Sequence, residues 1–178
     1  MIIRQLNTSD LDAFRIVWTD GLTRFPGAFL LTPNEAAVTS DARVRDGLAA
    51  GYNWGVEEDG HLVGIAGLRA RSVERLRHSA ELGPFYVKPE YQRRGLGQAM
   101  LARMLDYARS RGILQVELRV DDTNKAAISF YQAAGFIAFG LHPRSVMIDG
   151  KPRNDLLMLY ALDHDVELPK PLSDALAR

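Results

Sequence analysis

The chain has 178 residues, 47% apolar and 25% charged, which suits a single domain with a substantial core. Lys plus Arg and Asp plus Glu both total 22, so the formal net charge is zero and a dedicated nucleic-acid binder, with its basic excess, is disfavoured. The absence of cysteine excludes disulfides, thiolate metal sites and a cysteine nucleophile. The opening MIIRQLNTSD has no signal-peptide layout, and no window approaches the ~20 apolar residues needed to span a bilayer. A soluble, cytoplasmic protein with no membrane or nucleic-acid partner is expected.

In chain order, Met1 to Leu6 reads as a short strand. Thr8, Ser9 and Asp10 offer caps for a helix over Leu11 to Gly21. RFPGAFLLTP is a loop broken by Pro26, Gly27 and Pro33, and Asn34 to Ala50 reads as one second helix stopped by Gly51. Tyr52 to Glu57 and His61 to Ala70 are strands joined by an Asp59-Gly60 hairpin turn. Ser79 to Val87 is a third long extended segment after a polar turn.

Leu96, Leu101, Met100, Met104, Leu105 and Ala108 fall at helical spacing, and Gly112 ends that helix. Ile113 to Val120 is a strand. DDTNKAAISFYQAAGF is a capped helix closed by Gly135. Phe136 to Leu141 and Asp155 to Leu162 are two further strands, separated by a loop with an Asp149-Gly150 turn. The order, β-α-α-β-β-β-α-β-α-β-β, points to a mixed α/β sheet with helices on both faces rather than a doubly wound fold. There is no internal repeat.

The stretch Gln92-Arg93-Arg94-Gly95-Leu96-Gly97-Gln98 lies where a strand runs into a helix. Amides at a helix start have no internal partner, and the helix dipole favours negative charge there. Glycine lets a bulky anion approach the backbone, and arginine adds charge-assisted donors. A pyrophosphate fits that description. The motif is neither a Walker loop nor a dinucleotide GxGxxG, and an ordinary turn with solvated arginines is the competing reading.

Gly83-Pro84 interrupts the apolar strand HSAELGPFYVKP, as a bulge or edge would. A bulge there frees backbone from Phe85 through Tyr86 to Val87 for a ligand that pairs like a strand. Glu81, just before the break, is either a solvated strand residue or a general base. His78 is a weaker candidate. Asn124 and Tyr131 are seven residues apart on one predicted helix, about two turns, and so share a face. Tyr131, like Phe130, suits core packing; its phenol also suits a general acid.

Taken in order, the Glu81 strand, the Gly-Pro break, QRRGLG, a helix, a strand and NKAAISFYQAAGF resemble the GNAT superfamily of acetyl-CoA-dependent N-acetyltransferases. Gln92, Gly95 and Gly97 match its Q/R-x-x-G-x-G/A signature. The resemblance covers roughly Ile2 to Leu162. It implies a mixed, mostly antiparallel sheet of about seven strands, splayed between the fourth and fifth, in a single domain over residues 1–162. Residues 163–178 are expected to be a peripheral tail.

The resemblance also implies roles. Arg93 to Gln98 would hold the pyrophosphate of coenzyme A, and Phe85 to Val87 would pair with its pantetheine. Asn124 would touch that arm. Glu81 would deprotonate the amine and Tyr131 would protonate the departing thiolate. Acetyl-CoA is the implied co-substrate, with no metal, and the acetyl group passes directly to a primary amine in a ternary complex.

The acceptor is expected to be a small molecule, with a protein or peptide amine as the alternative. A non-catalytic acyl-CoA sensor is the alternative of another class. Acceptor recognition is expected from the first two helices, the loop around Phe25 to Pro33, and the loop from His142 to Asn154. The former carries Arg24, Phe25 and Phe29; the latter carries His142, Arg144, Lys151 and Arg153. Trp18 and Trp54 read as core or pocket wall, and a homodimer through the late strands is possible.

Overall fold

The computed structural model describes residues 1–163, so all but the first residue of the expected tail lies outside the described residues. A seven-stranded sheet runs in the order β1-β2-β3-β4-β5-β7-β6. The strands are β1 (Ile2–Gln5), β2 (Asn53–Glu58), β3 (His61–Ala70), β4 (Ser79–Val87), β5 (Gln115–Asp121), β6 (Ile137–Ile148) and β7 (Lys151–Ala161). The helices are α1 (Leu11–Arg24), α2 (Pro33–Ala37), α3 (Asp41–Ala49), α4 (Leu96–Ser110) and α5 (Lys125–Ala133). β4 and β5 pair in parallel, whereas β1–β2, β2–β3, β5–β7 and β6–β7 are antiparallel. This is the mixed, mostly antiparallel sheet expected from the sequence.

The chain forms two compact units. The first comprises Met1–Arg69 and Leu82–Tyr107; the second comprises Ala70–Glu81 and the chain from Ala108 onward. The core of the first gathers Leu6, Leu11, Phe14, Val17, Leu48, Ile65 and Tyr86. Here β3 is buried without alternation from Leu62 to Leu68, as a strand covered on both faces must be. In the second unit β5 alternates instead, burying Val116, Leu118 and Val120 and turning Glu117 and Arg119 outward. The apolar stripe of α4 is buried throughout.

Two expectations are corrected. Asn34 to Ala50 is two helices, not one. Thr32 and Glu35 cap α2 reciprocally, and the Ser40 hydroxyl accepts from the Arg43 amide to start α3 afresh. Between them the Thr39 hydroxyl donates to the Glu35 carbonyl at 2.9 Å, and Val38 is exposed. Local caps outweigh a continuous helical pattern.

The second correction concerns His142 to Asn154, which is not a loop. β6 and β7 run on into a long hairpin, closed by Asp149 (φ 49°) and Gly150 (φ 72°). Two successive left-handed residues make the type I′ turn that matches the twist of paired strands.

The ladder between β4 and β5 has three residue pairs, Ser79↔Gln115, Ala80↔Val116 and Glu81↔Glu117, and stops there. Two residues later comes the Gly83-Pro84 bond, which is cis, with Gly83 at φ 150°. A Cβ on Gly67 of β3 would lie 2.4 Å from the Gly83 carbonyl oxygen. That obstacle is backbone and cannot rotate away. Gly67→Ala is expected to destabilise the fold by about 1–3 kcal/mol, the usual overpacking cost, read as a lower denaturant midpoint at constant m-value.

Arg4 joins β1 to its surroundings. Its guanidinium donates to Asp10 at 2.7 and 2.9 Å and to Glu57 at 2.5 and 2.9 Å. Arg4 holds the Asp10 carboxyl below the usual aspartate range, against the opposing effect of burial. A depressed folded pKa stabilises above the unfolded value of ~3.9, and that stability is lost as pH falls through the folded value. Asp10→Asn is therefore expected to flatten the acid limb of stability below pH ~4, measured by urea denaturation across pH.

Candidate active site

In the first unit, β4 leads through a short turn over Pro89–Tyr91 into α4. The Gln92 side chain donates to the Val87 carbonyl at 2.7 Å and ties the turn to the end of β4. Gln92, Arg93, Arg94, Gly95 and Gln98 are exposed, Gly97 is half-buried, and the buried Leu96 anchors the helix start. Arg93 (φ 58°) and Gly95 (φ 80°) both adopt left-handed backbone. Alternating backbone of this kind points successive amides into one concavity, a shape suited to anions. Among the described residues, a Cβ on Gly95 would meet nothing within 4 Å, so none of them fills the space beside it. The helical ladder begins with the Ala99 amide, which donates to the Gly95 carbonyl at 2.9 Å. The amides just before it have no carbonyl within the helix to donate to, as at any helix start.

The two arginines differ. Arg94 sets both terminal nitrogens 3.0 Å from the Glu58 carboxylate and stacks over Tyr91 at 5.5 Å. Its side chain fastens the turn to β2. Arg93 sits exposed at the left-handed position.

On β4, Phe85 is half-buried, while Tyr86 and Val87 are buried. The Tyr86 hydroxyl donates to Asp20 Oδ2 at 2.6 Å, and burial together with Asp20 pushes its pKa up. Phe25 and Phe29 lie 5.9 and 6.0 Å from the Tyr86 ring. Arg24 donates to Asp20 at 2.9 Å. Asp20 is not among the residues that the sequence singles out. Its spacing of one helical turn from Arg24 hints at that ion pair, but nothing local indicates Tyr86.

In the second unit, Glu81 is exposed and stands in register with Glu117 of β5. Adjacent strands lie about 4.8 Å apart, so the two carboxylates are neighbours on one face. Glu117 accepts from Arg71 at 3.0 Å and from Gln115 at 2.7 Å. Among the described residues, no donor is bonded to the Glu81 carboxylate. Glu117 and Arg71 were not foreseen, because only strand pairing brings them beside Glu81. His78 is exposed, and its carbonyl accepts from the Leu114 and Gln115 amides.

Asn124 is the N-cap of α5, its side-chain oxygen accepting from the Ala127 amide at 3.1 Å. Tyr131, on the same helix, is 9% exposed and lies 5.2 Å from the Phe130 ring and 5.6 Å from the Phe136 ring. Burial pushes its phenol pKa up, so it carries its proton at neutral pH. The basic hairpin residue Arg153 is not an open cation. Its Nε and Nη2 each lie 3.0 Å from the two Asp121 oxygens. Among the described residues no group of three His, Cys, Asp or Glu is placed to hold a metal. No helix among them is long and apolar enough to cross a membrane.

Residues 17–136 match the model of the Acetyltransferase (GNAT) family. The chain is 36% identical over 96 residues to N-alpha-acetyltransferase RimI of Mycobacterium tuberculosis, covering 54% of this chain and 58% of that protein. It is 32% identical over 139 residues to the L-amino acid N-acyltransferase MnaT of Escherichia coli, covering 75% and 80%. It matches 39% of the length of a mycothiol acetyltransferase from Beutenbergia cavernae, at 34% identity over 65% of this chain. It therefore spans less than two thirds of RimI and of the mycothiol enzyme. Among solved structures, the acetyltransferase yncA of Salmonella typhimurium, determined with acetyl-CoA, superposes with a TM-score of 0.80. That match covers 96% of this chain and 98% of the other at 23% identity, a likeness of fold. With two thirds of its length matched to the family model, the chain belongs to the Acetyltransferase (GNAT) family.

Proposed function

We propose that this protein transfers an acetyl group from acetyl-CoA to the primary amine of a small molecule by direct attack in a ternary complex. The observation that carries the reading is the Gln92–Gln98 turn. Its exposed backbone, left-handed at Arg93 and Gly95 and open beside Gly95, suits a diphosphate at the start of α4. Arg93 adds a positive charge there. Phe85 to Val87 and Asn124 hold the thioester arm.

Acetyl-CoA supplies the acetyl group on a good leaving group, so the protein has mainly to position two substrates. Positioning can contribute roughly 7–11 kcal/mol. An alkyl amine with a pKa near ~10.4 is mostly protonated at neutral pH, and Glu81 takes its proton. The exposed Glu81 carboxylate lies beside the Arg71–Glu117 ion pair, and its own charge, unpaired among the described residues, draws a cationic amine. Tyr131 holds a proton that its buried phenol gives to the departing sulfur. A backbone N–H from Phe85 or Tyr86 steadies the carbonyl oxygen.

A small acceptor is supported by the longer match to MnaT, which takes in 80% of that enzyme. The 36% identity to RimI is the observation behind a second reading, a peptide N-terminus as acceptor. Thiol release assayed with amino acids, polyamines and short peptides separates the two. Release with a free amine alone supports the first; release with peptides alone overturns it. Failure to bind acetyl-CoA by calorimetry would remove both readings.

Tyr131→Phe is expected to lower kcat by roughly 10²-fold or more with little change in acetyl-CoA affinity, as loss of a general acid does. An unaltered kcat, with chemistry shown to limit the rate, speaks against the acid role. Glu81→Gln is expected to lose most activity at low pH, where the amine is most protonated; the reading fails if the ratio of mutant to parent rate is flat across pH.

A further inference from the structure

We propose that the β6–β7 hairpin serves the cofactor rather than the acceptor, with Arg153 a positioning residue that sets the turn bearing Asn124. This rests on the reading above, in which Asn124 contacts the thioester arm.

The turn from Asp121 to Lys125 connects β5 to α5, and β7 grips it at successive positions. Arg153 forks onto both oxygens of Asp121, at 3.0 Å each, and also donates to the Thr123 hydroxyl. Asp121 in turn accepts from the Thr123 amide at 2.8 Å, closing the turn on itself. The next residue of β7, Asn154, continues the grip. Its carbonyl accepts from the Asp122 amide at 3.0 Å, and its side-chain amide donates to the Asp122 carboxylate at 2.9 Å. The Asn154 side-chain oxygen also accepts from the amide of Arg144 on β6, at 3.0 Å. β7 is thus fastened to the connection directly, and β6 is tied to β7 through the same Asn154.

That connection positions the site residues. The Asn124 amide donates to the Asp121 carbonyl, and the Lys125 amide to the Thr123 carbonyl, both at 2.9 Å. Asn124 then caps α5, the helix that carries Tyr131. The Asp121 carboxylate therefore stands between Arg153 and the start of α5. Burial disfavours its charge, but Arg153 and Thr123 more than compensate and hold it ionised. A guanidinium is needed because only a planar fork meets both oxygens at once; lysine cannot. The same engagement occupies the Arg153 guanidinium, which the sequence placed among the residues expected to meet the acceptor.

The test measures acetyl-CoA affinity by calorimetry for Arg153→Ala, Arg153→Lys, Asp121→Asn, their alanine–asparagine double and Asn124→Ala, with amine KM alongside. Arg153→Ala and Asp121→Asn are each expected to weaken acetyl-CoA by roughly tenfold, within what a sub-ångström misplacement produces. The double variant should lose no more than either single one, the mark of one shared interaction. Arg153→Lys should recover only part of the affinity, and amine KM should stay put. Unchanged acetyl-CoA affinity in Arg153→Ala while Asn124→Ala is impaired overturns the clamp alone. So does a rise confined to amine KM, which would return the hairpin to acceptor recognition. Normal affinity in Asn124→Ala overturns the underlying reading of that residue, and the clamp with it. Should Arg153→Ala fail to fold, Arg153→Lys and Asp121→Asn decide by the same criteria.

Discussion

The parallel ladder between β4 and β5 ends after three residue pairs, at Glu81, and the rest of the arrangement depends on that ending. Beyond it β4 continues beside β3. Gly67 lets the Gly83 carbonyl come closer than any side chain would allow, and the Lys88 amide donates to the Val63 carbonyl at 2.9 Å. Proline at position 84 suits a strand leaving its neighbour, since it has no N–H for a ladder to lose. Glu81 is the last residue of the β4–β5 ladder and is exposed there. A carboxylate at such an ending is held by two strands on one side of its position and reached by solvent on the other.

A formal charge of zero is realised here as a series of specific pairings. Arg4 meets Asp10 and Glu57, Arg24 meets Asp20, Arg71 meets Glu117, Arg94 meets Glu58, and Arg153 meets Asp121. Most of these tie one element to another distant in sequence. Arg94 pairs with the Glu58 carboxylate and Arg153 with that of Asp121, so both charges also hold separate elements together. On the proposed reading, a diphosphate is met mainly by amides, whose direction is fixed by the turn. Amides suit that task because they need no side-chain ordering at the moment of binding.

The family match covers residues 17–136 and stops before the β6–β7 hairpin. The relatives named above differ in the acceptors their names describe. The aromatic group of Phe25, Phe29 and Tyr86 around the Asp20 hydrogen bond lies within the matched segment, and the hairpin lies beyond it.

The sequence alone determined the elements whose causes are local. The α4 stripe, the Asp59-Gly60 and Asp149-Gly150 turns, the glycine ends at Gly112 and Gly135, and the Gly-rich strand-to-helix turn all follow from spacing and residue type within a few positions. So did the family resemblance, because its motifs are contiguous. Other features were decided only by folding. The division of Asn34–Ala50 turned on which hydroxyls won local backbone donors, and the extension of β6 and β7 turned on cross-strand pairing. The tying of Arg94 and Arg153 to carboxylates, the Asp20–Tyr86 bond and the placing of Glu117 beside Glu81 join residues 32 to 66 positions apart, or on separate strands. Short-range preferences are written in neighbouring residues. A partner across the sheet is chosen by register and burial, which exist only once the chain has closed on itself.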